Sequence, residues 1–190
     1  MESNMNRTIL SVFIASLLLV SCSLKQAKNI QDCKFSFQSI SELKANNVSL
    51  DGKQSLKDLT PAEVALVSKG LMSEMPITFT AHVKIDNPNN QSAELSALEW
   101  ILLIRDVEVA TGVVEEKVKI GAHQHIVLPL DVETNTGILK KFSLSEIKQI
   151  IFNISNSKGL PQNSTLKVKP AFVVGKTMIK APAYFTIDLK

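Results

Sequence analysis

Between Pro76 and Asp86 the chain alternates without a break: Ile77, Phe79, Ala81, Val83 and Ile85 interleave with Thr78, Thr80, His82, Lys84 and Asp86. Successive side chains on a strand point to opposite faces, so this period of two predicts a strand with one buried and one wet face. It stops at Asn87-Pro88-Asn89-Asn90. There the proline removes a ladder donor and the asparagines bond their own backbone to hold a turn. Such a strand needs partners beside it and an apolar layer over its buried face.

The rest of the chain supplies both. Strand signals run from Cys33 to Ile40 and from Val48 to Leu50, followed by the turn pair Asp51-Gly52. Thr60-Pro61-Ala62-Glu63 is a capping box with proline at the first helical position, and Val64, Val67, Leu71 and Met72 follow at helical spacing, with Gly70 and Pro76 bracketing the end. Leu98 to Arg105 is apolar on both faces through Trp100, Ile101, Leu102, Leu103 and Ile104, which predicts the middle of a sandwich. Val107–Val114 and Lys117–Ile120 are expected next, with a break near Thr111-Gly112. Ile126–Val132 forms a strand around Pro129, and a proline there implies an edge or a bulge. A second helix is predicted over Leu144–Ile154, with Ser143 as cap, Glu146 at its third position and Ile147, Ile150, Ile151 and Ile154 on one face. Ser164–Val174 and Thr177–Leu189 close the chain as a hairpin joined by Gly175-Lys176. The sum is an all-β sandwich of the immunoglobulin or fibronectin type with one or two short helices, as a single domain over 33–190.

Composition narrows the function. With 190 residues, 45% hydrophobic and 21% charged, the chain suits one globular domain. A net charge of +3 falls far short of what a nucleic-acid partner demands. The seven glycines are so dispersed that the closest pair, Gly112 and Gly121, lies nine positions apart, which leaves no glycine-rich phosphate loop. Two cysteines make no disulfide scaffold.

The amino-terminal segment gives an address. Ile9 to Val20 is a twelve-residue apolar run behind Arg7, shorter than the roughly 20 residues that span a bilayer. It reads as a signal peptide over 1–21. Leu19-Val20-Ser21-Cys22 resembles the bacterial lipobox, in which the cysteine is diacylated and becomes the first residue of the mature chain. Lipidation is therefore assigned to Cys22, two or more acyl chains sufficing for stable anchoring. Cleavage nearby by the ordinary peptidase, or a buried apolar helix, are the alternatives. Glu2 is out of place in a basic leader, and a start at Met5 would leave Met5-Asn6-Arg7 as the lead. Residues 22–32 read as a lipidated tether whose Lys25 and Lys28 either attract anionic lipid or are simply solvated. The expected location is the bacterial envelope, at the outer membrane facing the periplasm. Cys33 is left as a small apolar residue at the start of the first strand.

No constellation assembles a reaction. His123 and His125 share one face of an extended segment and would chelate a metal if a third ligand arrived, but none is evident and His82 lies on another strand. Asp86-Asn87-Pro88-Asn89-Asn90 carries oxygen ligands but lacks the acidic partner of a calcium loop, and reads as a turn. Glu115 and Glu116 are adjacent, so on a strand they face opposite ways and do not work as an acid and base. Phe79, Trp100, Phe172 and Phe185 are assigned to the core, and a ligand cavity between the sheets stays open as a reading. No catalytic, metal-binding or cofactor-binding residues are assigned.

The run Pro76 to Asn89, ending in Asn-Pro-Asn, resembles the signature strand of type-2 late embryogenesis abundant proteins, also called the water-stress hypersensitive response (WHy) domain. Leu95, Leu98, Trp100, Leu102 and Ile104 are similar to its next strand, Val109-Ala110-Thr111-Gly112 to its valine-alanine-x-glycine turn, and Val118-Lys119-Ile120 with Val127-Leu128-Pro129-Leu130 to its later segments. Where that family often has Asp-Gly, this chain has Arg105-Asp106-Val107, which predicts a wider hairpin. The resemblance implies a β-sandwich without catalytic residues, tied to stress tolerance and membrane attachment, and small lipoproteins of this kind resemble those of Bacteroidetes-type bacteria. Two functions compete on this reading. One is a non-enzymatic, lipid-anchored envelope module that binds a protein or peptide at a strand edge or protects partners under water stress. The other is a periplasmic carrier of a lipid or small apolar ligand.

Overall fold

The computed structural model describes residues 29–71, 73–155, 160–174 and 176–189. The signal segment, Cys22, Met72 and Gly175 lie outside them.

Two antiparallel sheets form the body. The first has the order β2 (Val48–Ser49), β1 (Lys34–Ala45), β3 (Pro76–Asp86), β8 (His125–Asn135). The second has the order β10 (Thr177–Lys180), β9 (Ser164–Val174), β5 (Ala97–Ile104), β6 (Val107–Val114), with β11 (Phe185–Asp188) also paired to β9. A ribbon of β4 (Ala93–Leu95) and β7 (Val118–Ile120) bridges beside them. The all-β sandwich expected from the periodicity is what the chain builds. β3 alternates along its whole length, with Ile77, Phe79, Ala81, Val83 and Ile85 buried and Thr78, Thr80, His82 and Lys84 half-buried. Its apolar face joins Leu98, Trp100, Leu102 and Ile104 of β5 and Leu166 and Val168 of β9 in one core.

Two ends orient the molecule. β3 finishes at Asp86, close to where β5 begins, and this is called the Asn87 end. The opposite end carries the β5–β6 turn and is called the Arg105 end. At the Arg105 end α2 (Leu144–Ser155) packs Ile147, Ile150, Ile151 and Ile154 into the core. Its start is set by the expected capping box: the Ser143 amide and hydroxyl both donate to Glu146 Oε2 at 2.8 Å, and the Glu146 amide donates back to Ser143 Oγ at 3.3 Å. α1 (Pro61–Leu71) opens the same way, with the Thr60 amide on Glu63 Oε2 at 2.8 Å. Gly70 belongs to the helix itself, where a Cβ would meet Met75 Sδ at 2.5 Å.

Several local expectations are corrected. β1 does not stop at Ile40 but continues to Ala45 through two bulges, after Phe37 and after Ser41. The apolar residues 35, 37, 40, 43 and 45 explain why: each spacing of three needs one extra residue to return the next side chain to the core side. β5 is buried on one face only, with Ile101 and Leu103 half-exposed on the other, the outer face of its sheet. β6 runs straight through Thr111-Gly112, and the break falls at Glu115–Lys117. Its bulge opposite Leu102 and Leu103 explains why the neighbours Val109 and Ala110 are both buried. The β5–β6 hairpin is tight rather than wide: Ile104 pairs with Val107 across Arg105 and Asp106, both at positive φ (48° and 64°). That is the backbone a two-residue primed turn requires, and aspartate tolerates it. β8 carries Pro129 on the edge of its sheet, as the proline implied, and extends to Asn135. The last arm is split into β10 and β11 by Ala181–Tyr184, both halves pairing with β9. The folded body also reaches back to Asn29, because Ile30 is fully buried.

Candidate functional site

At the Asn87 end the Asn-Pro-Asn turn is a structural knot. The buried Asn87 side chain donates to the carbonyls of Gln91 (2.9 Å), Ile120 (3.2 Å) and Gly121 (2.9 Å). Its own oxygen accepts from the Asn89 amide at 3.1 Å and from Asn89 Nδ2 at 2.8 Å. Asn89 in turn donates to the carbonyl of Asn29, and Asn29 to that of Ser92. The Asn87 oxygen that a calcium ion would use is already engaged, so the segment acts as the turn its composition indicated.

The three histidines stay apart. His82 Nε2 meets Ser41 Oγ at 2.8 Å on the outer face of the first sheet. His123 sits in a turn at φ 55° with Nε2 2.7 Å from Asn90 Oδ1, and His125 lies 4.0 Å from Asp86. His123 and His125 therefore do not share an extended face, because the positive φ at His123 turns the chain before β8 begins. Among the described residues no group of three His, Cys, Asp or Glu side chains is placed to hold a metal ion. Glu115 and Glu116 are exposed in the β6–β7 connection rather than on a strand. Cys33 is buried just before β1, its Sγ on the Asn29 carbonyl at 3.3 Å, and burial, with the charges of Asp32 and Asp86, pushes the thiol up to about 11. It stays protonated at neutral pH, the state of a packing residue and not of a nucleophile.

Two spaces remain. Between the sheets, α2 closes an apolar slot of about 20 Å³ lined by Phe79, Leu102, Val109, Ile150 and Ile154. That is room for about one water, against the roughly 300 Å³ and more of ligand pockets. On the flank, β6 and β8 are the free edges of the two sheets. Near the Arg105 end they are stitched by Thr134 Oγ1 on the Val109 carbonyl at 2.7 Å. Beyond that stitch lies an open cleft of about 470 Å³. Thr111, Gly112 and Val113 form one wall, Pro129, Asp131 and Glu133 the other, with Glu116 at the rim. Trp100 lies under its floor, so close beneath Gly112 that a Cβ there would stand 2.3 Å from the indole. Asp131 and Glu133 also border a groove of about 220 Å³ on the outside of β3 and β8 beside Glu42, Lys44, Thr78 and Thr80. Among the described residues no ion pair engages Glu116, Asp131 or Glu133. Sequence reading missed this cleft, though alternation on β8 already put Pro129, Asp131 and Glu133 on one face.

No helix among the described residues is long and apolar enough to cross a membrane. Comparison with curated proteins finds no match. The chain is similar to a crystal structure of a protein from Archaeoglobus fulgidus, 13% identical over 79% of this chain and 91% of that one, with a TM-score of 0.38. It is similar to a solution structure described as a late embryogenesis abundant (LEA) protein, 16% identical over 96% and 88%, TM-score 0.36. A solution structure of an Arabidopsis thaliana protein is 13% identical over 80% and 81%, TM-score 0.37. The sequence profile described as "Late embryogenesis abundant protein" matches residues 82–182, from the middle of β3 past β10. With more than half of its length matched, the chain belongs to the late embryogenesis abundant protein family.

Proposed function

We propose that this protein is a non-enzymatic module of the bacterial cell envelope, of the water-stress hypersensitive response subtype. Acyl chains on Cys22 hold it to the outer membrane on the periplasmic side, and the cleft between β6 and β8 takes an extended, basic protein segment. The observation that carries the binding reading is the meeting of two free strand edges over an open cleft of about 470 Å³ bordered by Glu116, Asp131 and Glu133. An added strand satisfies the unpaired backbone groups of an edge, and carboxylates with no ion pair among the described residues, Asp131 holding only the Thr80 hydroxyl at 3.1 Å, select lysine and arginine on the incoming chain. The alternative of an apolar-ligand carrier has only the slot of about 20 Å³, so it requires α2 to swing away.

A photo-crosslinking residue at Val113, 54% exposed beside the cleft, tests the reading in intact cells against one at Leu66, 48% exposed on α1. A discrete adduct from Val113 alone, lost when Asp131→Lys and Glu133→Lys are combined, supports strand addition. An adduct indifferent to the charge reversal, or none, removes it. An apolar mass retained by the native protein in mass spectrometry transfers the function to the carrier. Anchoring is tested by palmitate labelling, which Cys22→Ser abolishes if the acylation site is right.

A further inference from the structure

We infer that the β9–β10 hairpin is a second membrane contact, laying its apolar residues into the headgroup layer of the bilayer that holds the acyl chains; the side from which it meets that bilayer rests on the lipid-anchored reading above. β5 supports β9 only as far as the pair Ala97–Ala171, so beyond Phe172, whose ring stays buried in the core, Val173–Val174 and Thr177–Ile179 run past β5 as a two-stranded ribbon. A ribbon in water should be polar at such a place. Here Val173 pairs with Met178 on one face, 43% and 50% exposed, and Ile179 is 40% exposed on the other. Exposed Lys176 stands at the turn, Lys180 is ion-paired to Glu99, and Lys169 lies 5.2 Å from the centre of the exposed Tyr184 ring. Apolar side chains with lysine and tyrosine around them match the boundary between acyl chains and anionic headgroups.

The route of the chain supplies the partner. Asn29, where the described residues begin, is fixed at the Asn87 end by its bonds to Ser92 and Asn89. The hairpin leaves from the same end, since Ala97 opens β5 there and the Ser96 amide bonds the Ala171 carbonyl at 2.8 Å. Asn29 follows Cys22 by seven positions in the chain. Fully extended they reach about 24 Å, so the end of the sandwich that carries the hairpin is the end held near the surface.

The test uses the full-length gene product purified from its membrane and reconstituted in vesicles of anionic phospholipid with brominated acyl chains. A fluorescent probe is placed by Ile179→Cys or, at the Arg105 end, by Ile138→Cys, positions of matched exposure at 40% and 41%. Quenching at 179 and not at 138 upholds the contact. Equal quenching, or none, overturns it. Combining Val173→Ser, Met178→Ser and Ile179→Ser touches only exposed side chains and should weaken vesicle association of unacylated chain about tenfold or more. A concentration-dependent dimer that shields the 179 probe without vesicles overturns the proposal in favour of a second copy. The anchor is scored separately, by the acyl mass on Cys22, and quenching is read whether or not that mass is found.

Discussion

Asn87 spreads the two protons of one amide over three backbone carbonyls from two different loops, and does so almost without exposure to water. Replacing it with alanine leaves those carbonyls unpaired in the interior, and about 2–4 kcal/mol should be lost in chemical denaturation. Asn87→Asp sets a carboxylate against the same carbonyls. Its folded pKa must rise, so the variant should regain stability as pH falls toward about 4, the reverse of an ordinary acid transition. Gly112 poses a different problem. Gly112→Ala drives a methyl into the indole of Trp100, and repacking the core strand beneath should cost about 1–3 kcal/mol of unfolding free energy. Cys33 should resist alkylation in the native protein at pH 8 and react at once in denaturant, its buried thiol lying near 11. Fast native labelling would contradict the packing described. The sequence motif Asn-Pro-Asn already marked the turn, because an asparagine side chain bonds its own neighbours. That it also ties down Ile120 and Gly121 was invisible, since those residues arrive from another part of the chain.

The same division separates the elements. Both helix starts were legible because a capping box is contained in four consecutive residues, and β3 was legible because its alternation is unbroken. Glu146 shows how much such a local device does. Bonds from the Ser143 amide and hydroxyl, then from Arg105, hold its carboxyl at about 2, well below the ordinary 4.5. A depressed acid stabilises the fold above its unfolded pKa and ceases to as pH falls through the folded one. The stability difference between the native protein and Glu146→Gln should accordingly be full above about pH 5 and vanish near pH 2 in acid titrations of denaturation. The bulges in β1 and the primed turn at Arg105–Asp106 were not legible in the same way. Local spacing hints at a bulge, but a partner strand decides whether the extra residue is looped out or ends the strand. Positive φ at two non-glycine residues is imposed by Ile104 and Val107 meeting across the turn.

At the scale of the whole molecule, the sandwich uses α2 to seal one end and leaves a flank ajar. The slot under α2 has room for about one water, and the cleft between β6 and β8 is the surface that the proposed binding uses. Binding there should weaken with added salt, since the bordering carboxylates act through charge, and titration of a lysine-rich extended peptide at two ionic strengths measures it. The cleft escaped sequence reading because its walls come from two sheets: residues 111–116 and 129–133 carry no shared motif, and only the closure of the fold makes them neighbours. Trp100 has a practical consequence. It is the only tryptophan in the chain, and it lies beneath the cleft floor. The protein thus contains its own optical gauge: near-ultraviolet emission should change when the flank fills, with no dye attached and no second indole to blur the signal.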